Sequence, residues 1–399
     1  MSVFSDSTKL DKMKIIYFTT ACEKEDYVSF SKNWNTSLNT HIQNLHNRMI
    51  RSLAMTHEVE VISIRPFSKR YCNLKKLASA KTAEGKITWN YLEIKRHKVS
   101  RFLSARRQAN KLLSKMNLKD CIILTDTLNP YILNSSTSLA KKYHLPIIGV
   151  CINTPSGIHN TGKSYTTFLL SMADDLSGYI TLTSGLNELY NEESRASLLL
   201  EGIIESKYNE IDVSKYDKYI FYNGSLEEKY GVYDLIKAFK ALNREDINLV
   251  ISGYHNFEEN KFNKAIEGIN NIVYIGMVNA DEMLSLANNS LLNINPRPHS
   301  EDFDRYLIPV NMMDYLSSNS VTVSVKNSKL QKYFNDDCIW VDSSEVEDLT
   351  DGINKALNLN EEREKMIKRA VNDVNKSYSM AVVNKKVILF LKQFLKQKD

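Results

Sequence analysis

Phe221-Tyr222-Asn223-Gly224-Ser225, with Tyr230-Gly231 six residues after the glycine and then Val232, Leu235, Ile236, Phe239 and Leu242, is the stretch on which the fold turns. Its first five residues read as a β-strand running into a tight glycine turn, and the later apolar positions recur at i, i+3, i+4, i+7 and i+10, one buried helix face. A strand ending in glycine lets a phosphate approach the backbone, and the N-terminus of the next helix favours its negative charge. Alone the pattern is common; two repeats of its strand-to-glycine ending give it weight. These are Leu249-Val250-Ile251-Ser252-Gly253 and Ile272-Val273-Tyr274-Ile275-Gly276, after which Asn279 with Glu282 three residues on marks a helix start. After the strand Leu291–Ile294 come Asn295-Pro296-Arg297-Pro298, then Glu301-Asp302-Phe303-Asp304-Arg305-Tyr306, and Pro309 before a helix over Asn311–Leu316. Arg297 and Arg305 are candidates for forked hydrogen bonds to a diphosphate, and Asp314 for ribose hydroxyls.

Outward from this stretch the same grammar runs through the chain. Short β-branched runs at Lys14–Phe18, Val59–Ile64, Cys121–Thr125, Pro146–Ile152 and Gly178–Leu182 alternate with helical patterns such as Thr40–Met55 and Ser136–Tyr143. The later runs are Tyr219–Asn223, Asn248–Ile251, Ile272–Ile275, Leu291–Ile294, Val321–Val325 and Cys338–Val341. This predicts an α/β protein with a doubly wound parallel sheet in each half. The polar stretch Glu205–Lys218 is the expected linker, so the domains are expected at residues 1–210 and 211–378, with residues 379–399 as a closing helix.

The 399 residues are more than one core usually serves, and the 43% hydrophobic and 25% charged fractions are those of a globular chain. Thirteen glycines and seven prolines exclude collagen-like and linker-like compositions. No apolar run approaches the ~20 residues that cross a bilayer, and Met1–Met13 lacks the apolar centre of a secretion signal, so a cytoplasmic protein is expected. Cys22, Cys72, Cys121, Cys151 and Cys338 form no CxxC pair, which predicts reduced, buried thiols rather than a disulfide framework or a zinc site. The eight histidines lack metal-ligand spacing, and no metal is expected.

A net charge of +5 is too small to imply nucleic-acid binding, but it is unevenly spread. Lys95–Lys119 holds nine basic side chains and no Asp or Glu, with Phe102, Leu103, Ala109, Leu113 and Met116 at roughly helical spacing. A basic amphipathic helix that lies on an anionic membrane surface fits this pattern, and so does a solvated helix face. The closing segment, with Lys385, Lys386, Lys392, Lys396 and Lys398 around Val387, Ile388, Leu391, Phe394 and Leu395, reads equally well as a packing helix with a wet basic face.

Gly157-Ile158-His159-Asn160-Thr161-Gly162-Lys163-Ser164 satisfies the phosphate-cradling pattern G-x-x-x-x-G-K-S between a strand and a helical run. The downstream strand Tyr179–Thr183 lacks the magnesium-binding Asp that a nucleotide hydrolase needs, and Cys121–Asp126, which has one, lies upstream. His159 and Lys163 could touch an acceptor phosphate or belong to an exposed loop, and His41 and His46 read as satisfied core or surface histidines. Asp126 ends a strand, where it would either contact a sugar or cap a helix.

With Gly224, Tyr230-Gly231, Gly253, Gly276, Asn295-Pro296-Arg297, Pro309 and Asp314-Tyr315-Leu316 in this order and spacing, the chain resembles family 4 glycosyltransferases of the GT-B architecture, of the kind that build bacterial capsular and extracellular polysaccharides. The resemblance covers nearly the whole chain, more weakly through Asn39–Leu53, Gly178-Tyr179-Ile180-Thr181-Leu182-Thr183 and Glu201-Gly202. It implies two Rossmann-like domains facing across a cleft, the first for the acceptor and the second for a UDP- or GDP-sugar, with a C-terminal helix crossing back to the first. It further implies retaining transfer without a required metal; a lipid-linked saccharide acceptor and, from the Lys95–Lys119 charge, the inner face of the plasma membrane are expected with it. On that reading Gly224, Ser225, Lys229, Gly276, Arg297 and Asp314 bind the donor nucleotide, while Glu301 and Asp126 are the catalytic candidates. The sequence departs from the family where Ser225 and Tyr230 stand in place of Arg and Lys, and where Val310 and Asn311 replace Ser-Lys. Losing a lysine that touches the diphosphate removes a charge-assisted bond worth ~1.5–3 kcal/mol. A catalytically degenerate paralogue acting as partner subunit of a second glycosyltransferase is therefore the alternative.

Overall fold

A computed structural model describes residues 13–23, 40–66, 76–95, 97–155, 163–205, 207–254 and 259–395. The chain divides into two compact units. Unit 1 is Met1–Ile203 with Arg305–Ile308 and Met380–Asp399; unit 2 is Ile204–Asp304 with Pro309–Ser379.

Among the described residues, unit 1 contains the strands β1 (Lys14–Thr19), β2 (Val59–Ser63), β3 (Lys76–Leu77), β4 (Ala80–Glu84), β5 (Ile87–Tyr91), β6 (Ile94–Lys95), β7 (Cys121–Asp126), β8 (Ile147–Cys151), β9 (Gly178–Thr181) and β10 (Ser197–Leu199). All but β3 and β6, which pair with each other, form one sheet in the order β10-β9-β8-β7-β1-β2-β5-β4. Within it the β4–β5 hairpin is antiparallel and the other pairings are parallel. Every residue of β7 and β8 is buried, as continuous apolar strands covered on both faces require. The hairpin and β10 are not among the strands expected from sequence. β4 is mostly exposed and polar, so no buried face imprints a pattern on it, and Gly85 supplies the positive φ its turn needs.

The Thr40–Ala54 helix covers the sheet with Ile42, Leu45, Met49, Ile50 and Leu53, and the Met380–Lys392 helix packs on it through Val383, Val387 and Leu391. Ser52 Oγ donates to the Met380 carbonyl at 2.8 Å, and Asn384 Nδ2 to the Ser52 carbonyl at 2.6 Å. The crossing of the C-terminal helix back to the first unit is thus present. Asn129 caps the Pro130–Tyr143 helix by accepting from the Tyr131 and Ile132 amides, so this helix starts ahead of the expected Ser136.

The basic segment forms the Lys98–Leu113 helix, packed against the Pro130–Tyr143 helix. Its buried face matches the expected one only in part. Ala105, Ala109 and Leu113 are covered, whereas Leu103 is 52% exposed. Small residues let two helices approach closely, and Leu103 falls on the opposite side of the turn.

Unit 2 contains β11 (Tyr219–Ser225), β12 (Asn248–Tyr254), β13 (Ile272–Tyr274), β14 (Leu292–Asn295), β15 (Val321–Val325) and β16 (Ile339–Val341), all parallel, in the order β13-β12-β11-β14-β15-β16. The Val232–Ala241 helix buries Val232, Leu235, Ile236 and Phe239, four of the five positions on its expected apolar face. Asn279 caps the Ala280–Asn289 helix at the Glu282 amide (3.0 Å), as its spacing predicts. Strand order reverses between β11 and β14 in unit 2 and between β1 and β7 in unit 1. Such switch points open a crevice beyond the carboxyl ends of the strands, where open α/β sheets bind ligands.

Candidate functional site

In unit 2 the switch point is framed by Gly224-Ser225 at the end of β11 and Asn295-Pro296-Arg297 at the end of β14. Three glycines make this edge bare backbone. A Cβ on Gly224 would lie 2.6 Å from the Tyr222 hydroxyl, and one on Gly253 would lie 1.8 Å from the Gly224 carbonyl oxygen. The Gly276 carbonyl accepts from the Gly253 amide (2.9 Å) and from Ser252 Oγ (3.0 Å), so Gly224, Gly253 and Gly276 succeed one another across three strand ends. Gly231 has a φ of +77°, and its Cβ position is 2.1 Å from the Pro296 carbonyl oxygen, which brings the start of the Val232–Ala241 helix against the β14 loop. Ser225 Oγ is buried with no hydrogen-bond partner among the described residues. An orphaned hydroxyl beside open backbone is a group in want of an acceptor or donor.

The charges here are already engaged. Lys229 Nζ is 2.8 Å from Glu227 Oε2 and lies 5.2 Å from the centre of the Tyr230 ring. Burial works against its charge, yet the hydrogen bond to Glu227 holds its pKa above the ordinary lysine value. Arg297 bonds Asp304 Oδ1 at 3.0 Å, and His299 Nδ1 reaches the other oxygen of the same carboxylate at 2.5 Å. The Tyr230 hydroxyl has its pKa raised by burial, and the charges of Lys229 and Arg297 oppose that shift. Behind it the β11 end is tethered: the Asn223 amide donates to the Tyr315 hydroxyl at 2.8 Å, and the Asn223 carbonyl accepts from Asn311 Nδ2.

Gly224, Ser225, Lys229, Gly276 and Arg297 are therefore gathered at one edge of unit 2. Asp314 sits on the Val310–Leu316 helix and is 3% exposed. Glu301 opens the short Glu301–Tyr306 helix and is exposed. Arg305, the other arginine considered for a diphosphate, belongs to unit 1 and pairs with Glu188 at 2.8 Å. Sequence reasoning missed Glu227 and Asp304 as partners of the cations and Asn311 as a tether. A carboxylate two residues before Lys229 was the available signal for the first.

Asp126 belongs to unit 1, at the β1–β7 switch point. It is 1% exposed and accepts from the Leu128 amide (2.8 Å) and from Thr20 Oγ1 (3.2 Å). Fully buried His46 stands beside it, Nε2 3.7 Å from Asp126 Oδ2 and Nδ1 2.8 Å from the Tyr17 hydroxyl. The carboxylate facing Nε2 favours the hydrogen of a neutral His46 on that nitrogen, which leaves Nδ1 to accept from the Tyr17 phenol. Burial lowers the His46 pKa, and Asp126 opposes that shift. Cys22, Cys121, Cys151 and Cys338 are buried thiols outside any disulfide; Cys72 lies outside the described residues. The Gly157–Gly162 loop of the phosphate-cradling match, His159 included, also lies outside them, while Lys163 and Ser164 open the Lys163–Ala173 helix. Among the described residues no His, Cys, Asp and Glu side chains are grouped to hold a metal ion, and no helix is long and apolar enough to cross a membrane.

Residues 204–373 match the family model described as glycosyl transferases group 1. No curated protein sequence is significantly similar to the chain. Among solved structures it is similar to a sucrose-phosphate synthase from Thermosynechococcus elongatus (TM-score 0.69, 9% identity, 97% of this chain and 100% of that one). A glycosyltransferase from Rickettsia africae gives a TM-score of 0.67 at 14% identity, again over 97% and 100% of the two chains. An α,α-trehalose 6-phosphate synthase from Burkholderia multivorans gives 0.65 at 10% identity over 97% and 100%. At such identities the likeness speaks for the fold, which is that of GT-B glycosyltransferases.

Proposed function

We propose that the protein transfers a sugar from a UDP- or GDP-sugar to a lipid-linked saccharide in cell-surface polysaccharide synthesis, with retention at the anomeric carbon and no required metal. The observation that carries this reading is the unit 2 switch point, where the bare glycine backbone and orphaned Ser225 hydroxyl at the end of β11 stand next to the Asn295-Pro296-Arg297 end of β14, with Lys229 following in the chain. The family match over this unit supports it, and so does the fold, whose relatives include the Escherichia coli trehalose-6-phosphate enzyme bound with UDP-2-fluoro glucose. Gly224, Ser225 and Gly276 approach the donor, Lys229 and Arg297 neutralise its diphosphate, Asp314 serves the ribose, Glu301 the transferred sugar, and Asp126 in unit 1 the acceptor. In the transfer the bond from the anomeric carbon to the phosphate oxygen breaks, a bond to the acceptor oxygen forms, and the acceptor's hydroxyl proton leaves with the phosphate. Stabilising charge on that leaving group is the main catalytic task.

Isothermal titration with UDP, GDP and ADP, each with and without magnesium, tests the reading. One diphosphate is expected to bind at micromolar level without metal, and Arg297→Ala is expected to weaken it by tenfold or more; because the change also leaves buried Asp304 without its arginine, urea unfolding must show that the variant is still folded at the titration temperature. Unaltered binding or turnover in that variant would sink the site assignment.

A second reading is favoured by the ion pairs themselves. Lys229 is held by Glu227, Lys261 by Glu228 and Arg297 by Asp304, so a diphosphate must compete with carboxylates for every one of these cations. A paralogue that has lost transfer and serves a second glycosyltransferase as partner subunit has this electrostatics. Its mark is the absence of diphosphate binding together with co-purification of an active transferase.

A further inference from the structure

We propose that the outward face of the Lys98–Leu113 helix and the turn after it is a docking surface for an anionic lipid bilayer. The proposal deepens the reading above by naming where a lipid-linked acceptor is met, and rests on that reading for the acceptor alone. At 3.6 residues per turn, Leu103, Arg106, Arg107 and Lys111 fall within an arc of about 140°, and all four are exposed. Ala105, Ala109 and Leu113 hold the other side against the protein. Lys115 and Lys119 extend the charge past the helix end.

What distinguishes these cations is that they stand in one row with no acidic residue among them. Unit 2 pairs Lys229, Lys237, Lys261, Lys326, Lys365 and Lys368 with carboxylates. Along this helix, by contrast, no Asp or Glu occurs from Lys95 to Lys119, and the side chains of Arg106, Arg107 and Lys111 make no ion pair with any described residue. An uncompensated row of like charges raises the energy of the folded chain by self-repulsion, and an anionic surface relieves it. The apolar content decides which anion. Leu103 stands inside the basic arc at 52% exposure, and Phe168 is 45% exposed on the Lys163–Ala173 helix, which packs on the same Pro130–Tyr143 helix. A bilayer interface takes up both a cation row and an apolar side chain, whereas a polynucleotide backbone satisfies only the first. The helix also points at the right part of unit 1. Its first turns meet the first turn of the Pro130–Tyr143 helix, with the Phe102 and Tyr131 rings 4.5 Å apart and Arg101 5.1 Å above Tyr131. That helix leaves the sheet from β7, shortly after Asp126. The start of the helix is thus near the β1–β7 switch point proposed for the acceptor, and the cation row runs from there toward the amino end of β7.

Co-sedimentation with phosphatidylcholine vesicles, with and without about 30% phosphatidylglycerol, at low and high salt tests the surface. The expected result is binding at least tenfold tighter to the anionic vesicles, abolished in high salt, and lost in the triple variant Arg106→Glu, Arg107→Glu, Lys111→Glu. Leu103→Asp should weaken binding several-fold while keeping its salt dependence. Reversal of Lys237, Lys365 and Lys368, which are exposed on unit 2, should leave it intact. Equal binding to neutral vesicles, no vesicle binding, binding to RNA but not to vesicles, or full binding by the triple variant would each overturn the proposal. Urea unfolding of every variant shows that it is folded. Diphosphate titration of the same preparations keeps the two readings apart: vesicle binding without diphosphate binding overturns the donor site and leaves the docking surface, and the reverse pattern does the opposite.

Discussion

His46 shows how much a single buried side chain reports. It lies between Tyr17 and Asp126 with no exposure, and burial holds its pKa below the ordinary histidine value. An unfolded chain takes up a proton on this residue below about pH 6.5, and the folded chain resists it. Stability is therefore expected to be full above that pH and to fall as the solution is acidified through it. His46→Gln keeps polar atoms in the site and cannot titrate there. The unfolding free energy of the native chain relative to this variant should drop between pH 7.5 and pH 5.5; a difference that does not change with pH would remove the assignment. Glu227 and Asp304 make a related point, since each sets the state of a cation whose role composition alone would have assigned to a ligand.

Among the elements, the Met380–Lys392 helix joins unit 1 although it is far from the rest of that unit in sequence. Its amphipathic pattern is legible: Val383, Val387 and Leu391 recur every four residues and are fully buried. The polar key in that face is not legible. Asn384 is 4% exposed, donates to the Ser52 carbonyl and shares a contact of 3.1 Å with Thr56 Oγ1. Asn384→Ala should leave that carbonyl and hydroxyl without this partner and cost about 1–3 kcal/mol, visible as a lower urea midpoint with unchanged slope. The Lys98–Leu113 helix is the converse case. Its charge was legible from sequence, and so were Ala109 and Leu113 of its buried side; Ala105 is too small to mark a periodicity, and Leu103, which fits the apolar pattern, is exposed.

For the whole molecule, two separate hydrophobic cores arise from the two sheets, one built around β1, β7 and β8 and one around β11, β12, β14 and β15. Each core carries its own stability. Scanning calorimetry is expected to resolve two unfolding transitions. Leu391→Ala, at a fully buried position of the first core, should cost about 2–5 kcal/mol and lower one transition by several degrees. Leu249→Ala, fully buried in the second core, should lower the other. A single transition shifted equally by both variants would mean that the cores unfold as one.

The alternation of β-branched runs with amphipathic stretches was enough to establish two doubly wound parallel sheets, and the glycines expected at successive strand ends do stand there, at the unit 2 edge proposed for the donor. Both are local regularities, written in hydrophobic period and in backbone that only glycine allows. The edge strand β4 escaped because a strand without a buried face has no reason to alternate, and β10 because three residues, Ser-Leu-Leu, are too few to show a period. Tertiary structure alone decided which charges are engaged. Asp304 claims Arg297, Glu188 claims Arg305, and Tyr17 and His46 meet Asp126 from different elements, while Arg106, Arg107 and Lys111 face outward with no ion pair among the described residues. An ion pair is made where two side chains converge in space, and that convergence comes from how the elements pack, not from the order of residues along the chain.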